Sequence, residues 1–452
     1  MGELPVGWCN TKFSEIAEAT DYVANGSFAT LKENVVQTNV ENFAILVRLK
    51  DKTHKWKGSF KYVTKSSYEF LKKSDLIEGD LFIANVGAPG RSFLMPDLGR
   101  PMTIGPNGIR IRSGRITTNK YLHYFFSSPL GQEGIQRIVS GTAQKKFNKT
   151  GLRSSLVLLP PLNEQIRIAN KLDSLLAKVE AAQTRLDKIP TLLKRFRQAV
   201  LAAATSGELT KEWREENKAS EWSDSLLSEL ANSVSDGDHQ APPKAKDGIP
   251  FLVISNVNKG VIDFTNVSRW VPKEYFDSLK SVRTPELQDI LYTVTGSYGI
   301  PVIVDTTEQF CFQRHIAIIK PNHDIIDYHY LHIVLASPVA MKQANALATG
   351  TAQKTVSLTS LRGYKIPVPP IEEQKQIVHQ VESLSTLADK VEKQYQQARQ
   401  RTDKLTQSLL AKAFKGELVP QDPNDEPAEK LLARIQAERE KLKPKKTQEN
   451  AR

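Results

Sequence analysis

The chain carries one stretch of sequence twice. Residues 141–165 read GTAQKKFNKTGLRSSLVLLPPLNEQ and residues 350–374 read GTAQKTVSLTSLRGYKIPVPPIEEQ, an offset of 209 residues (350 − 141). The same offset relates YLHYFFSSP at 121–129 to YLHIVLASP at 330–338. A constant offset without a gap over so long a stretch indicates the tandem duplication of a unit of roughly 200 residues.

Length and charge limit what such a repeat can build. The chain has 452 residues, and since hydrophobic cores stop growing at roughly 250–300 residues, we expect two or three domains. With 40% hydrophobic and 25% charged residues the composition is that of a globular protein. The formal net charge of +12 favours a polyanionic partner, although a basic balance alone is weak evidence.

Cysteine and histidine usage argues against disulfide and metal frameworks. Cys9 and Cys311 lie in different halves of the chain, and there is no CxxC pair to suggest a zinc site. The HYLH segment at 329–332 favours a helix-surface pair over a metal site, because no third ligand is apparent. No run reaches the ~18 apolar residues of a membrane span. We therefore expect a cytoplasmic protein that holds no metal.

Each repeat divides into two halves of different character. In residues 1–155 and 207–365, short apolar runs such as FAILVRL and DILYTVTG are interrupted by Gly, Pro, Asn and Asp. That pattern is typical of a mixed, strand-rich α/β domain. The early parts of the two domains differ in length, since Trp8 matches Trp222 only at an offset of 214 (222 − 8).

The second half of each repeat, at 160–206 and 369–415, predicts a long helix. A Pro-Pro pair precedes each helix, the glycines Gly207 and Gly416 follow them, and glutamates occupy the first turns, where the helix dipole favours them. The apolar positions advance by alternating steps of four and three, the rhythm of a coiled coil. They are Ile168, Leu172, Leu175, Val179, Ala182, Leu186, Ile189, Leu193, Phe196 and Val200 in the first helix, and Ile377, Val381, Leu384, Ala388, Val391, Tyr395, Ala398, Thr402, Leu405 and Leu409 in the second.

Two further features distinguish the helical segments. Pro190 is expected to kink the first helix, whereas Arg399, its counterpart, should not disturb the second. Residues 416–452 form a tail, in which AEKLLARIQAEREKLK at 428–443 predicts a short amphipathic helix. The sequence leaves open whether this helix packs on the long helices or on a partner.

A lone helix of about 40 residues would expose its apolar stripe to water. The economical partner is the other copy, packed antiparallel, so we predict two strand-rich α/β domains in tandem repeat, separated by two long helices in an antiparallel coiled coil with pseudo-twofold symmetry. Two heads held apart in a basic protein suggest a reader of two separated sites on duplex DNA, because half-site spacing reflects the distance between reading heads. Since the heads have diverged, their half-sites should differ.

The order of head, LPPLNEQ, long helix, SGELT, second head, VPPIEEQ, long helix and KGELV resembles the specificity (S) subunit of type I restriction–modification systems. The segment IPTLLKRFRQAVLAAATSGELTKEWR at 189–214 is similar to the central region of that family, and the resemblance covers about residues 1–420. It implies a subunit without catalysis whose two target recognition domains bind a bipartite DNA target. It also implies partners: two modification subunits that methylate adenine with S-adenosylmethionine, and two restriction subunits that use ATP and Mg²⁺.

Two glycine loops, GAPGRS at 87–92 and GSYGIP at 296–301, follow strand-like runs at the same point of both domains. The glycines themselves indicate β-turns. Arg91 suits guanine or a phosphate, and Ser297 and Tyr298 can donate to a phosphate or a base edge. Four further candidates for base reading, equally explicable as polar residues at strand ends, are Arg48, Asn85, Asn256 and Arg314.

The GTAQK boxes have the opposite profile, because identical boxes in both domains argue against the reading of different bases. Their polar residues suit phosphate contacts, or else the boxes are structural loops that position the segments after them. The residues concerned are Gln144, Lys145, Lys146, Gln353 and Lys354. The clusters KRFRQ at 194–198 and KPKK at 443–446 are basic. Lys194, Arg195 and Arg197 are predicted to form a solvated helix face, with docking of a partner subunit as the alternative.

Catalysis by the chain itself is the rival hypothesis. An adenine methyltransferase needs an Asp/Asn-Pro-Pro-aromatic box, but the Pro-Pro pairs here read LPPL and VPPI. There is also no GxxxxGK[ST] phosphate loop, so ATP-driven translocation is not encoded. A free-standing enzyme acting on nucleic acid and a coiled-coil scaffold without DNA specificity remain the alternatives.

Overall fold

A computed structural model of the chain describes residues 3–142, 144–237, 242–351 and 353–442. The chain forms two compact units, Met1–Leu186 with Ala398–Arg452, and Asp187–Gln397. Each unit contains one repeat of the strand-rich domain together with helical segments from both repeats. Helix-forming residues of both repeats are thus divided between the two units.

The first unit begins with strands and short helices and ends its amino-terminal part in a long helix. Its strands are β1 (Cys9–Lys12), β2 (Ala17–Asp21), β3 (Gln37–Thr38), β4 (Ala44–Val47), β5 (Lys61–Val63), β6 (Asp75–Leu76), β7 (Leu81–Ala84), β8 (Ser92–Leu94), β9 (Met102–Ile104), β10 (Gly108–Ser113) and β11 (Leu156–Leu159). Its helices are α1 (Phe13–Ile16), α2 (Phe28–Asn34), α3 (Leu49–Thr53), α4 (Lys65–Phe70), α5 (Asn119–Ser127), α6 (Pro129–Ile138), α7 (Lys149–Ser154) and α8 (Leu162–Leu186).

The second unit repeats this plan with fewer strands. Its helices are α9 (Ile189–Ser206), α10 (Lys211–Asn217), α11 (Lys273–Asp277), α12 (Tyr328–Ala336), α13 (Pro338–Leu347) and α14 (Leu358–Arg362). Its strands are β12 (Ser223–Leu226), β13 (Ala231–Asp236), β14 (Ile249–Leu252), β15 (Trp270–Val271), β16 (Ile290–Thr293), β17 (Pro301–Ile303), β18 (Cys311–Phe312), β19 (Ile316–Pro321) and β20 (Lys365–Val368). Helix α15 (Ile371–Ala413) starts in this unit and ends in the first, and α16 (Ala428–Leu442) follows it.

The sheets show the duplication directly. An antiparallel sheet of order β2-β10-β7-β8 in the first unit matches β13-β19-β16-β17 in the second. A mixed sheet, β3-β5-β4-β9-β6, contains the parallel pair β4–β9, and its smaller counterpart β15-β14-β18 contains the parallel pair β14–β18. The ladders β1–β11 and β12–β20 join the two ends of each domain. The predicted α/β class and tandem arrangement are confirmed.

Helices α5 and α12 pack on these sheets in the same way. Thr118 and Asp327 cap their amino termini by accepting from the Tyr121 and Tyr330 amides. The two tyrosine rings are fully buried, and their hydroxyls donate to backbone carbonyls of β11 and β20, at 2.6 and 2.8 Å. These bonds satisfy the only polar atom of a buried ring, so the aromatic YLH motif fastens each helix to the terminal ladder of its domain.

The long helices pair within each unit, and the pairing is antiparallel. In the first unit, Gln183 of α8 donates to Asp403 of α15, while Leu172 shares a core with Leu410. In the second unit, Arg197 of α9 binds Asp389 at 2.8 Å, and Val200 shares a core with Val381. Residue numbers rise along one helix as they fall along the other, which confirms the predicted antiparallel coiled coil inside each unit.

Pro190 has a larger effect than the predicted kink. The helix expected over 160–206 ends at Leu186, and α9 starts at Ile189 with Pro190 in its first turn. Proline has no amide hydrogen to donate and its ring clashes with the carbonyl four residues earlier, here that of Leu186. Arg399 brings neither constraint, and α15 runs unbroken through that position for 43 residues.

The predicted tail helix is α16, and it packs on the first unit. Ala428, Leu431 and Ile435 lie in the core of that unit, and the Ala428 amide donates to the Gly7 carbonyl at 2.9 Å. The KPKK segment at 443–446 lies outside the described residues. Within the described ranges, no helix combines the length and apolarity needed to cross a membrane.

Candidate nucleic-acid interface

Each strand-rich domain is anchored to the start of its long helix by the same tryptophan–glutamate pair. The Trp8 indole donates to Glu164 at 2.9 Å, and the Trp222 indole donates to Glu373 at 3.0 Å. Both carboxylates are buried. The sequence placed these glutamates in the first helical turn, but it did not show that they hold the first strand-bearing segment of each domain.

The glutamine that follows each glutamate extends this anchor. The Gln165 amide donates to the Ile116 and Pro160 carbonyls, both at 3.0 Å. Gln374, its equivalent, donates to the carbonyls of Ile325 and Pro369 at 3.3 and 2.9 Å. The Glu-Gln dipeptide of each NEQ or EEQ motif thus ties the helix start to the domain, and this explains why the repeat is so well preserved there.

Two loops lie side by side in each domain, and together they form the candidate interface. In the first domain, Val86, which directly precedes the glycine loop, forms a backbone bridge with Lys146 beside the GTAQK box. The Phe147 amide donates to the Asn85 carbonyl at 3.1 Å. In the second, Thr295 bridges to Thr355. The sequence predicted both loops as candidates, but their adjacency is a tertiary feature.

The GTAQK box is a tight hairpin in both domains. Ser140 and Lys146 exchange backbone hydrogen bonds of 2.8 and 3.0 Å, and Thr349 and Thr355 exchange bonds of 2.9 and 2.8 Å. Gly141 has φ +95° and a Cβ there would lie 2.5 Å from the Gln144 carbonyl oxygen, so only glycine suits the turn.

This geometry supports the structural interpretation of the box without removing the phosphate-binding one. The backbone of the hairpin is committed to the turn, while the five predicted side chains are all exposed. They are Gln144, Lys145, Lys146, Gln353 and Lys354. Exposed lysines on a rigid hairpin are suited to contact phosphates, since such contacts need charge rather than base geometry.

The glycine loops carry different side chains in the two domains. Arg91 and Ser297 are exposed, and Arg314 is exposed in the turn between β18 and β19. Tyr298 is half-buried, and its hydroxyl donates to Asn345 of α13 at 2.9 Å. Arg91, Ser297 and Arg314 are therefore free to reach a partner, whereas Tyr298 must break a hydrogen bond to use its hydroxyl.

Arg48 is held by its own domain. Its guanidinium donates to the buried Asp51 carboxylate at 2.7 Å and to the Ser59 carbonyl at 3.1 Å. The Asp51 carboxylate also accepts from the Arg48 amide and caps α3. This fixes the arginine beside a cavity of about 250 Å³ that Asn107 also lines. Its role as a base reader stays a prediction.

Asn256 is buried within its own domain, and its role as a base reader stays a prediction. Only 2% of the residue is exposed. Its oxygen accepts from the Val253 amide at 3.0 Å, and its nitrogen donates to the carbonyls of Asp263 and Asn266. These bonds use both donors of its amide and one of the two lone pairs of its oxygen. Asn256 caps the turn that follows β14, as Asp51 caps the turn that follows β4.

Asn85 is a different case, because one of its polar atoms has no partner. Its nitrogen donates to the Phe147 carbonyl at 3.3 Å, whereas its oxygen is buried without a hydrogen bond among the described residues. The residue lines a cleft of about 440 Å³ together with Asn107, Lys146 and Asn148. Asn85 therefore joins the two loops and lines the cleft beside them.

A basic segment that the sequence analysis passed over lies next to Arg48. Lys50, Lys52, Lys55 and Lys57 are all exposed on and after α3. The backbone turns there through two left-handed residues, at Lys55 and Trp56, with φ of +54° and +60°. Trp56 packs edge-on against Phe93 with 5.5 Å between ring centroids. The alternation of lysine in LKDKTHKWKG was the signal that could have identified it.

The structure thus contains two copies of an α/β domain, each anchored to the start of a helix that belongs to an antiparallel pair. The family model for the type I restriction modification DNA specificity domain matches the chain twice, at residues 6–191 and 220–398. The chain therefore belongs to the family of type I restriction–modification specificity subunits.

Individual relatives agree with that assignment. The chain is 37% identical to the type I restriction enzyme EcoBI specificity subunit of Escherichia coli, over 73% of this chain and 74% of the relative. It is 32% identical to the EcoKI specificity subunit of Escherichia coli K12, again over 73% and 74%. Its fold resembles the HsdS subunit from Thermoanaerobacter tengcongensis with a TM-score of 0.59 at 19% identity, covering 92% of this chain and 98% of that one.

Proposed function

We propose that the chain is the DNA-recognition subunit of a type I restriction–modification complex. Its two recognition domains bind the two unlike halves of a bipartite, asymmetric target. The chain itself is not catalytic, and it acts in the cytoplasm. Partner subunits carry out the chemistry: two modification subunits methylate adenine with S-adenosylmethionine, and two restriction subunits use ATP and Mg²⁺.

One observation carries the proposal. Each domain places an identical GTAQK hairpin beside a glycine loop that differs between the domains, with Arg91 in one and Ser297 and Tyr298 in the other. A shared hairpin suits what every DNA duplex has, its phosphates, and the different loops suit what distinguishes sequences, the base edges. This arrangement supports a reader with two specificities and one mode of attachment.

The surface chemistry agrees with a nucleic-acid partner. The exposed lysines of the hairpins and of residues 50–57 add to a chain whose net charge is +12. Lysine–phosphate contacts release counterions, so binding should weaken steeply with salt while the preference for the target survives.

Mapping methylated adenines in the genome tests the proposal. Cells that contain the partner subunits and this chain should show methylation at two short, unlike half-sites with a constant separation, and cells without the chain should not. Arg91→Ala should relax one half-site only. The matched control is Lys178→Ala, an exposed residue of α8 in the same unit, which should leave the target unchanged.

Two results would contradict this function. Methyl transfer by the purified chain alone, given S-adenosylmethionine and target DNA, would show a free-standing enzyme. Equal binding of target and random duplexes at raised salt would show a scaffold without DNA specificity.

A further inference from the structure

A third turn lies beside the two loops of each strand-rich domain. In the first unit it is the turn at 105–107, between β9 and β10, and in the second unit the turn at 313–315, between β18 and β19. The amide that opens each turn donates to the last carbonyl of β4 or of β14, at 2.9 and 3.0 Å. The amide three positions later donates back to the first carbonyl of the turn, at 3.3 and 3.0 Å. The two turns therefore share their backbone hydrogen bonds.

The turn is joined to the candidate interface in the same way in both units. The Asn107 carbonyl accepts from the Asn85 amide at 3.2 Å, and the His315 carbonyl accepts from the Val294 amide at 3.0 Å. Val294 is the equivalent of Asn85 at the repeat offset of 209 (294 − 85). Asn107 and His315 are therefore structural equivalents, at an offset of 208 (315 − 107). Because this offset is one residue short, the repeat register of the sequence does not pair them.

The side chains at this position differ, and the turn uses neither of them for its own structure. Asn107 is exposed and its φ is not positive, so the backbone does not require an asparagine there. Within the described part of the chain its side-chain amide has no hydrogen-bond partner, and the same holds for the half-buried imidazole of His315. Both side chains are therefore available to a partner, on a backbone that the two domains build alike.

We infer that Asn107 and His315 are specificity-determining residues, each of which contacts the edge of one base in the half-site of its own domain. The inference rests on the proposed function, because it requires that both domains bind DNA. Asn107 lines the cleft that contains Asn85 and Lys146, and it also lines the cavity beside Arg48. It therefore lies between side chains that the sequence predicted as base readers and a lysine suited to a phosphate.

The charges around Asn107 permit the approach of DNA. The acidic residue that lines the cleft is Asp21, and its carboxylate is paired with Lys149 at 3.0 Å. Lys146 lines the same cleft and Lys50 lines the cavity on the other side of the turn, and both lysines are exposed. Lysines on either side can hold the phosphates, which leaves the amide between them to meet a base.

The two side chains suit different bases. An asparagine amide can donate to N7 of adenine and accept from its N6 amino group at the same time, and in the major groove this pattern distinguishes adenine. Burial, and after it the charge of Arg314, lowers the pKa of His315. Its imidazole is therefore neutral near pH 7 and has one N–H to donate, for which guanine offers the acceptors N7 and O6. We expect adenine opposite Asn107 and guanine opposite His315.

Methylation mapping in cells that also contain the partner subunits tests the inference. Asn107→Ala should lower the preference for adenine at one position of the first domain's half-site about tenfold. Asn107→Asp should move the preference at that position from adenine toward cytosine, because a carboxylate accepts from the cytosine N4 amino group. The matched control is Asn39→Ala, at an exposed asparagine of the same domain outside the three loops, which should leave the target unchanged.

His315 is tested in the same way in the other half-site. His315→Ala should lower the preference for guanine at one position, and His315→Gln should move it toward adenine, because a glutamine amide offers both a donor and an acceptor. His323→Ala, at an exposed histidine of the same domain, is the matched control. Loss of folding would abolish methylation rather than change a base preference. The half-site of the other domain, which should stay unchanged, shows in each variant that the complex has assembled.

Two outcomes would overturn the inference. If the natural chain directs methylation at bipartite sites and none of the four variants of Asn107 and His315 alters a base preference, the inference fails while the proposed function stands. If the natural chain directs no methylation at bipartite sites, the proposed function and the inference fail together.

Discussion

The Trp8 indole donates a 2.9 Å hydrogen bond to the Glu164 carboxylate, across 156 residues of sequence. The equivalent Glu373 accepts from the Trp222 indole and also from Thr210 and Arg214, at 2.7 and 2.8 Å. In the first unit no such partners exist among the described residues, and one oxygen of Glu164 is buried without a hydrogen bond. The two repeats share the tryptophan–glutamate hydrogen bond, but the carboxylates differ in their other hydrogen-bond partners.

The unpartnered oxygen of Glu164 predicts opposite effects of the same substitution in the two units. Glu164→Gln should leave the stability of the first unit unchanged or raise it, because an uncharged amide still accepts from Trp8. Glu373→Gln should lower the stability of the second unit by about 2 kcal/mol, since it removes the charge that Arg214 is paired with. Hydrogen exchange measured by mass spectrometry for segments of each unit compares the two variants.

The pH dependence of the first unit follows from the same carboxyl group. Burial raises the pKa of Glu164 above its ordinary value, so the folded chain binds this proton more tightly than the unfolded chain. The contribution of Glu164 to stability is therefore present below its ordinary pKa and is lost as pH rises through the raised value. Glu164→Gln should remove that decline. An unaltered pH profile would show that another group is responsible.

We expect the Asp425 carboxylate to hold the carboxy-terminal segment against the start of α8. It is 9% exposed and accepts from Arg167 at 2.6 Å and from Asn163 at 3.1 Å. The bond from Arg167 lowers the pKa of Asp425, so this contribution is present at neutral pH and is lost as pH falls through the lowered pKa. Asp425→Asn should expose α16 to limited proteolysis at pH 7.

The matched control for that experiment is Asp422→Asn. Asp422 is exposed and accepts from the Asn424 amide within its own turn, a bond that an asparagine oxygen can keep. Equal protease resistance of the natural chain and the Asp425→Asn variant would show that the apolar contacts of α16 suffice without this pair.

Lys145 and Lys354 occupy equivalent positions in the two hairpins. We expect both to contribute to the salt dependence of DNA binding. Replacing either lysine by alanine in the assembled complex should lower the affinity for target and for random duplexes by the same factor. The slope of log affinity against log salt should fall by about 0.9 for each lost phosphate contact. Fluorescence anisotropy over a salt series measures both. A change in target preference without a change in slope would assign these lysines to base reading instead.

Replacing Asn256 is expected to lower the stability of the second unit rather than to change the DNA specificity. Asn256→Ala leaves the Val253 amide and two carbonyls without their partner, which should cost about 2–3 kcal/mol in the second unit. Thermal unfolding measures the cost, and methylation mapping measures the target. A stable variant with an altered half-site would support Asn256 as a base reader.

Much of the architecture could be read from local patterns. The heptad rhythm and the Pro-Pro helix starts are patterns of neighbouring residues within one copy. The 209-residue offset appears when the sequences of the two copies are compared. These signals survive because helix and strand periodicities are properties of a segment. The two strand-rich domains, the long helices, the antiparallel pairing and the amphipathic tail helix were all predicted in this way.

The site was less predictable, because it depends on which distant residues meet. Asn256 and Arg91 are both polar residues that follow a strand. Asn256 is buried and makes three hydrogen bonds, whereas Arg91 is exposed. Nothing in the local sequence separates them. The helix break before Pro190 is also a tertiary feature. The sequence shows that a backbone hydrogen bond is lost there, but it does not show whether the helix bends or ends.

By itself the sequence determined that this protein contains a duplicated strand-rich domain and two long helices, since repetition and periodicity are written along the chain. Only the tertiary structure decided that Trp8 meets Glu164, that the hairpin lies against the glycine loop, and that the Tyr124 hydroxyl donates to Asp173. The physical reason is that hydrogen bonds and packing between residues far apart depend on the folded path of the backbone, which local patterns do not record.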